Sequence, residues 1–260
     1  MVMKNIILSG KEAGLLESLI INYGRVVSFK QVKSVFRKDY SEAEIKNKVS
    51  KLAKIGWLIR FKKGLYGVVS DIGSLAVNNI SDYTICNALN KDSYVAFESA
   101  LQFHGMFDQM LSETSAITFK RARQYKIKGT EIRFFKIKKE LYFGFNREKA
   151  GAIGQVNIAS KEKTILDILY FRSNAYYAGL VWSMLVKYKQ KFDFCLMKRY
   201  SKKFNLNVIR QTGFFLEKLG IDAENLEKLV RGKTNYGRMT RESKEYNAKW
   251  RLYFDRSVIE

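Results

Sequence analysis

Five polar side chains in one short stretch of the sequence have the chemistry to bind a nucleic acid. They are Lys46, Asn47, Ser50, Lys51 and Lys54. A lysine ammonium can neutralise a phosphate, and an asparagine amide can form two hydrogen bonds with the edge of an adenine. Asn47 is therefore the candidate for reading a base. The competing interpretation is a solvated surface, since most charged helix faces contact only water.

A helix must carry these side chains on one face, and the sequence predicts one that starts at Glu42. Ser41 and Glu44 form the S-x-x-E pattern of a capping box, and Gly56 supplies the left-handed residue that ends a helix. The apolar stripe of this helix consists of Ile45, Val49, Leu52 and Ala53. Because the stripe recurs with the helical period, the five polar side chains are expected on the opposite, solvent-facing side.

A β-hairpin with a cationic tip is predicted directly after this helix. Apolar residues lie on both sides of the turn at residues 62–64, as is typical of paired strands. Arg60, Lys62 and Lys63 are the positive charges of the hairpin. We expect these three side chains to contact the phosphate backbone while the helix lies in the groove.

Two further helices are predicted in front of the basic helix. The first covers residues 11–22, and the second is capped by Ser28. The first amides of the second helix, together with Ser28, Lys30 and Gln31, form a candidate phosphate site. The order helix, helix, basic helix and hairpin is typical of a winged helix-turn-helix, which places its third helix in the major groove of DNA.

Residues that would suggest an enzyme have structural explanations. His104 ends a predicted helix, where a histidine can interact with the last carbonyls. Lys163 and Asp167 are spaced for an ion pair on another predicted helix, with Glu162 beside them. The glycine, lysine and threonine at residues 232–234 lack the strand and the earlier glycine of a phosphate loop. We therefore expect no enzymatic activity, no metal and no cofactor.

Composition favours a globular protein that binds a polyanion. The chain has 260 residues, 47% of them hydrophobic, and a formal net charge of +22. Positive charge is densest before residue 70, where the basic helix lies. The length predicts two domains: a winged helix-turn-helix DNA-binding domain at residues 1–70 and a larger α+β domain at residues 71–260.

The sequence contains no membrane or redox signal. The apolar run at residues 5–8 is too short for a signal peptide, and no stretch reaches the roughly 18 apolar residues of a membrane span. We expect a cytoplasmic protein without a membrane partner. Cys86 and Cys195 each lie in an apolar helical pattern, which predicts two buried thiols and no disulfide.

The second domain is predicted to contain an antiparallel sheet followed by helices, after a connector at residues 70–79. The expected strands cover residues 115–119, 130–137, 140–145 and 155–158. Residues 120–128 are expected to form a basic loop. Together with the surfaces of the last helices, this loop is a second basic face that could contact a DNA backbone, an RNA or nothing specific. Ser160 caps a helix, and further helices are expected at residues 177–192, 193–204, 207–219 and 222–230. The final residues 231–260 are either a docked tail or a flexible arm.

Three motifs in this order resemble the AbiEi family of antitoxins of type IV toxin-antitoxin systems. They are GWLIRFKKGLYGV at residues 56–68, YVAFESALQFHGMFDQ at residues 94–109 and IASKEKTILDILYF at residues 158–171. The resemblance covers roughly residues 28–171, and the helical region from residue 177 matches no motif of the family. It implies an N-terminal winged helix that represses its own promoter and a C-terminal domain that opposes a nucleotidyltransferase-like toxin. In this family the antitoxin and toxin need not form a stable complex.

The sequence therefore predicts a DNA-binding autorepressor and antitoxin. We expect it to bind double-stranded DNA at an inverted repeat in its own promoter, either as a dimer or as two copies on adjacent half-sites. One alternative is a ligand-responsive winged-helix transcription factor whose C-terminal domain senses a small molecule. Another is a nucleic-acid-processing enzyme with a winged-helix specificity module.

Overall fold

The protein is an α+β protein, as predicted from the sequence. A computed structural model describes residues 8–69, 80–127, 129–149 and 155–259. The predicted connector at residues 70–79 and the predicted domain boundary after residue 70 lie outside these ranges. Among the described residues, every helix is too short or too polar to cross a lipid bilayer.

Capping boxes start the first three helices. In each, a serine hydroxyl accepts from the backbone N–H three residues later, and the side chain of that later residue accepts from the serine N–H. Such reciprocal bonds satisfy amides that have no partner inside the helix. These helices are α1 (Gly10–Tyr23), α2 (Phe29–Phe36) and α3 (Glu42–Ile55).

A small three-stranded sheet accompanies these helices. Its strands are β1 (Val26–Ser28), β2 (Leu58–Lys62) and β3 (Leu65–Val68), arranged in the order β1-β3-β2. β2 and β3 form an antiparallel hairpin with an irregularity between Arg60 and Lys62. The predicted helix and hairpin thus occupy the expected ranges.

A six-stranded sheet has the order β6-β7-β5-β4-β9-β8. Its strands are β4 (Ser93–Val95), β5 (Glu113–Thr118), β6 (Arg123–Ile127), β7 (Thr130–Lys136), β8 (Phe145–Lys149) and β9 (Gln155–Ala159). The sheet contains the expected antiparallel pairing in β6 and β7. It is mixed, because β4, which was not predicted as a strand, pairs in parallel with β9 through Val95 and Ile158. The neighbours of β7 are β6 and β5, whereas the sequence led us to expect residues 140–145 and 155–158 beside it.

Two segments in this region differ from the prediction. The basic loop expected at residues 120–128 contains the strand β6, which pairs with β7 along its whole length. The strand expected at residues 140–145 is mostly irregular, since Lys139–Leu141 form a 3-10 helix and β8 starts only at Phe145. The first error arises because charged side chains at a sheet edge resemble a loop in sequence. The second arises because the aromatic run at residues 140–145 has the composition of a strand.

The remaining helices include those predicted after Ser160, in the expected order. They are α4 (Asp82–Leu89), α5 (Phe97–Phe103), α6 (Lys161–Phe171), α7 (Ala175–Lys187), α8 (Phe194–Ser201), α9 (Leu206–Lys218) and α10 (Glu224–Val230). The final segment is docked, because Trp250 is completely buried and three short strands form a sheet. These strands are β10 (Gly237–Arg238), β11 (Glu245–Asn247) and β12 (Leu252–Phe254), in the order β10-β12-β11.

The chain divides into two compact units. Unit 1 consists of Met1–Tyr94, Ser112–Phe135 and Arg147–Asn157, and unit 2 consists of Val95–Leu111, Lys136–Asn146 and Ile158–Glu260. Of the two cysteines, Cys86 in unit 1 is buried as expected. Cys195 in unit 2 is exposed, so the prediction of a second buried thiol was wrong.

Two apolar clusters in unit 1 use opposite faces of the β2–β3 hairpin. One cluster joins α1, α2 and α3 to Leu58 and Val68 of the hairpin. The other joins Ile59 and Phe61 to α4 and the strands β5, β6 and β7. Because an apolar cluster packs on each face, most residues of the two hairpin strands are apolar. Among the described residues of the hairpin, Arg60, Lys62 and Lys63 remain exposed.

Candidate nucleic-acid interface

The helix α3 positions the predicted groove residues. Its N-terminus is fixed by the box of Ser41 and Glu44, in which the Glu44 carboxylate accepts the Ser41 N–H at 2.8 Å. Its C-terminus is Gly56, whose φ of 97° lies in the left-handed region and whose N–H donates to the Leu52 carbonyl. Ile45, Val49 and Leu52 face the apolar cluster. The helix is therefore held at both ends and along one side.

The opposite face of α3 is exposed over its full length. All five predicted side chains, Lys46, Asn47, Ser50, Lys51 and Lys54, are exposed. Within the described part of the chain, Asn47, Ser50 and Lys54 have no hydrogen-bond or ion-pair partner. An asparagine without an internal partner can direct both its amide oxygen and its amide NH₂ group at a base edge.

The two remaining lysines of this face have acidic neighbours. The Lys46 ammonium lies 3.6 Å from the Glu42 carboxylate one turn earlier. The Lys51 ammonium lies 3.6 Å from Glu12 on α1, and Lys48 lies 3.4 Å from the same carboxylate. Lys46 and Lys51 each have a side chain that is 63% exposed, so these contacts are weak and can exchange for a phosphate.

Glu12 links the start of α1 to α3. Burial alone would raise the pKa of its carboxyl, but hydrogen bonds from Ser9 and Lys48 outweigh burial and lower that pKa below its ordinary value. The carboxylate therefore stays ionised next to the lysines. Lys48 also lies over the ring of Tyr40, at 4.3 Å from its centroid, so this lysine packs within unit 1 and does not join the exposed face.

A cleft separates α3 from the hairpin edge. It is lined by Phe29, Lys46, Val49, Ser50, Ala53, Arg60 and Tyr66, and its volume is about 210 Å³. The structure thus brings together Lys46, Ser50 and Arg60, which were predicted as separate contacts in the groove and on the backbone. Arg60 is exposed and pairs across the hairpin with Tyr66.

The hairpin tip presents only one of its two predicted lysines freely. Lys63 is exposed in the turn beside Gly64, whose φ is 76°. The Lys62 ammonium instead donates a hydrogen bond of 2.6 Å to the carbonyl of Leu89, at the end of α4. Lys62 therefore points toward a different surface from Lys63.

The first turn of α2 is already hydrogen-bonded. Gln31 accepts from the Ser28 N–H at 2.7 Å, and Ser28 accepts from the Gln31 N–H at 3.3 Å. The N–H of Phe29 donates to the Gly64 carbonyl of the hairpin at 2.8 Å. Ser28 and Gln31 were predicted as phosphate contacts, but their side chains cap the helix here. Lys30 is exposed beside them.

A second cationic groove in unit 1 includes part of the basic segment at residues 120–128, which was expected from the sequence to contact a DNA backbone, an RNA or nothing specific. It is lined by Lys62, Leu89, Asn90, Lys120, Arg121, Arg123, Tyr125 and Phe134. Lys120 approaches Asp92 at 3.8 Å, while the other cations of the groove have no ion pair among the described residues. The positive charge of residues 120–128 was the sequence signal for this groove. Its position beside Lys62 follows from the strand β6, which the sequence did not predict.

The residues that were considered as catalytic candidates each have a hydrogen-bond or ion-pair partner inside the protein. His104 Nε2 lies 2.7 Å from the carbonyl oxygen of Ala159. Lys163 and Asp167 form a completely buried ion pair on α6, and the Glu162 carboxylate accepts the N–H of Asp193 at 3.0 Å. Among the described residues, no group of three or more His, Cys, Asp or Glu side chains is arranged to hold a metal ion.

Comparison with known proteins adds a likeness in fold. The chain is an α+β protein, and its sequence matches no family model and no curated protein. Its structure resembles the crystal structure of the RV2827C protein from Mycobacterium tuberculosis, with a TM-score of 0.62 and 12% sequence identity. The likeness covers 93% of this chain and 90% of that chain. At this identity the likeness shows a shared fold and nothing about function.

Proposed function

We propose that this protein is a cytoplasmic DNA-binding autorepressor and antitoxin, not an enzyme. The observation that carries the proposal is the exposed basic face of α3, where Asn47, Ser50 and Lys54 have no partner among the described residues. In a winged helix-turn-helix this helix enters the major groove. The resemblance of three sequence motifs to the AbiEi family supports the antitoxin role.

The proposed contacts follow from the chemistry of each side chain. Asn47 reads an adenine, while Lys51 and Lys54 neutralise phosphates at the groove edges. Arg60 and Lys63 contact the backbone from the hairpin. Two copies of the protein occupy an inverted repeat in the promoter, either as a dimer or side by side. The toxin that the protein opposes is a nucleotidyltransferase-like protein.

The first experiment measures binding of the purified chain to duplex DNA from directly upstream of its own gene and to a scrambled duplex, across a salt series. Specific binding at about 150 mM salt is expected, with a log-log salt slope set by several phosphate contacts. Equal binding to both duplexes that disappears with salt would mean that the basic charge is generic.

Matched variants separate base reading from charge. Asn47→Ala should weaken binding to the promoter duplex by about tenfold or more and leave scrambled DNA unaffected. Lys54→Ala should weaken binding to both duplexes and reduce the salt slope by about one. The control is Lys228→Ala in unit 2, whose side chain is 62% exposed and pairs with Glu224. A loss with Lys228→Ala as large as with Lys54→Ala would contradict the placement of DNA on α3.

The antitoxin role needs a separate test in cells. Co-expression of the chain should restore growth to cells that express the neighbouring nucleotidyltransferase-like toxin. The variant Asn47→Ala should lose repression of the promoter and keep this protection, because the two activities belong to different domains in the proposed scheme. Continued growth arrest in the presence of the wild-type chain would remove the antitoxin role and leave the DNA-binding role intact.

A further inference from the structure

The small sheet near the C-terminus carries an ordered group of aromatic rings and a guanidinium. The strand register places Arg238 opposite Tyr253, and Tyr253 opposite Tyr246. The rings of Tyr246 and Tyr253 lie 5.0 Å apart, those of Tyr236 and Tyr253 lie 5.2 Å apart, and the Arg238 guanidinium lies 4.4 Å from the Tyr253 ring centre. We call Tyr236, Arg238, Tyr246 and Tyr253 the tyrosine platform.

The tyrosine platform faces solvent, while the other side of the same sheet packs inward. Tyr236 is 57% exposed and Tyr246 is 45% exposed. On the opposite face Leu252 is buried, and Phe254 lies 4.8 Å from the ring of Phe214 on α9. The core of unit 2 therefore does not account for the exposed rings, which are unusual on a protein surface when they cluster.

Two arginines fix the segment that leads into the platform. The Arg210 guanidinium donates to the Asn235 carbonyl at 2.8 Å, and Arg251 donates to the Thr234 carbonyl at 2.7 Å. Burial, together with the nearby charge of Arg251, lowers the pKa of Arg210. Arg210 is 1% exposed, and its Nε is buried without a hydrogen-bond partner in the part of the chain that the structure describes. Hydrogen bonds from Arg210 and Arg251 to backbone carbonyls thus fix the segment, although the two guanidinium groups repel each other.

The positive charge around the platform is not neutralised internally. Arg210, Arg238 and Arg251 bond to carbonyl and amide oxygens, and none forms an ion pair with a carboxylate among the described residues. Such charges attract an anionic ligand. Flat rings beside unneutralised arginines match a ligand that combines aromatic groups with phosphates.

We propose that the tyrosine platform binds single-stranded nucleic acid. Bases stack on Tyr236 and Tyr246, and Arg238 and Arg251 contact the phosphates between them. A duplex is a poor ligand because its base faces are already stacked. This surface lies in unit 2 and does not depend on the proposed promoter binding by α3. An acidic protein segment is disfavoured because acidic side chains would neutralise the arginines but carry no ring to stack on Tyr236 and Tyr246.

The test uses the full chain and fluorescent oligouridylate and oligodeoxyuridylate of about 12 nucleotides, with binding followed by anisotropy at about 150 mM salt. Tyr236→Ala and Tyr246→Ala should each weaken binding about tenfold, and Tyr246→Phe should retain it because the ring remains. The matched control is Tyr176→Ala on α7, since Tyr176 is also in unit 2 and is 54% exposed. Tighter binding of RNA than of DNA would assign a contact to the ribose hydroxyl, and equal binding would assign recognition to bases and phosphates alone.

Three outcomes would overturn the proposal. The first is a wild-type chain that binds neither oligonucleotide at concentrations up to about 100 µM. The second is a loss with Tyr176→Ala equal to that with Tyr246→Ala. The third is an equal loss with Lys54→Ala, which would place the single strand on α3 instead. Failure of promoter binding with intact, Tyr246-dependent binding of single strands would contradict the proposed repressor and leave this site standing.

Discussion

The ammonium of Lys62 donates a hydrogen bond of 2.6 Å to the carbonyl oxygen of Leu89, which lies 27 residues later in the chain. Lys62 ends the strand β2, and Leu89 ends the helix α4. The last carbonyls of a helix have no partner inside it, and a lysine at this position satisfies one of them and opposes the negative end of the helix dipole. The hairpin is thereby attached to α4 as well as to the helices before it.

The first prediction compares the two lysines of the hairpin tip. Lys62→Met should lower the free energy of unfolding by about 1 kcal/mol, because the Leu89 carbonyl loses its charged donor. Lys63→Met should change it by less than about 0.5 kcal/mol, since Lys63 is exposed and has no partner among the described residues. Urea denaturation of the three proteins gives the comparison. Equal stabilities for the two variants would show that the bond to Leu89 contributes nothing.

Local signals in the sequence were sufficient for the helices of unit 1. A serine followed three residues later by Glu or Gln marks the start of α2 and α3, and Gly56 marks the end of α3. These bonds form between residues that are close in the chain, so the spacing alone reveals them. The face of α3 that packs and the face that remains exposed followed from the helical period in the same way.

Contacts between distant residues could not be predicted in this manner. The bond from Lys62 to Leu89 and the cationic groove beside it depend on how α4 and β6 pack against the hairpin. In β6, Tyr125 and the buried Ile127 alternate with the exposed Gln124 and Lys126. A five-residue stretch with two charged side chains does not distinguish an edge strand from a loop. The sequence thus predicted the exposed residues of α3 in the candidate interface. In the hairpin it predicted Arg60 and Lys63 but not that Lys62 is bonded to Leu89.

The second prediction concerns the two thiols. Cys195 is exposed because α8 buries Met197, and a residue two positions away on a helix points about 200° away from it. Cys86 is buried, and this burial raises the pKa of its thiol and keeps the reactive thiolate scarce. A thiol reagent at neutral pH should therefore modify one cysteine rapidly in the native protein and both in denaturant. Cys195→Ser should abolish the rapid phase, and rapid modification of that variant would contradict the burial of Cys86.

The third prediction is a pH dependence that involves Glu12. Hydrogen bonds from Ser9 and Lys48 lower the pKa of this carboxyl in the folded state despite its burial. A lowered pKa contributes stability above the ordinary value of 4.5, and this contribution is lost as the pH falls through the lower, folded-state pKa. Glu12→Gln should therefore be roughly 0.5–1 kcal/mol less stable than the wild type at pH 7, and the difference should shrink below pH 4.5.

Thermal unfolding of both proteins between neutral and acidic pH measures this effect. The control is Glu17→Gln, which changes an exposed carboxylate on the same helix α1. The difference in stability between Glu17→Gln and the wild type should stay the same at every pH in the range. A constant difference between Glu12→Gln and the wild type at every pH would mean that the Glu12 charge is not the source of the stability.

The fourth prediction uses two helical glycines of unit 2. A methyl group added at Gly213 on α9 would overlap the indole ring of Trp250, whereas one at Gly179 on α7 would meet nothing within 4 Å. Gly213→Ala should therefore cost about 1–3 kcal/mol of stability and loosen the docked C-terminal sheet. Gly179→Ala should stabilise the protein by up to about 1 kcal/mol through helix propensity alone. Tryptophan fluorescence and denaturant unfolding measure both effects, and a stabilising Gly213→Ala would contradict the packing of Trp250 on α9.

The fifth prediction concerns the buried ion pair of Lys163 and Asp167. Both side chains are fully buried, and the Lys163 ammonium also lies 5.2 Å and 5.0 Å from the ring centres of Phe143 and Phe204. Burial lowers the pKa of Lys163, although Asp167 opposes this shift. Removing one partner leaves the other charge buried without compensation, so Lys163→Met should cost about 3–5 kcal/mol of folding stability.

The double variant with Asp167→Leu should recover much of this loss, because two apolar side chains of similar volume need no counter-charge. Denaturant unfolding of the four proteins gives the coupling between the two positions. A double variant that is as unstable as the sum of the two single variants would show that the two charges do not depend on each other.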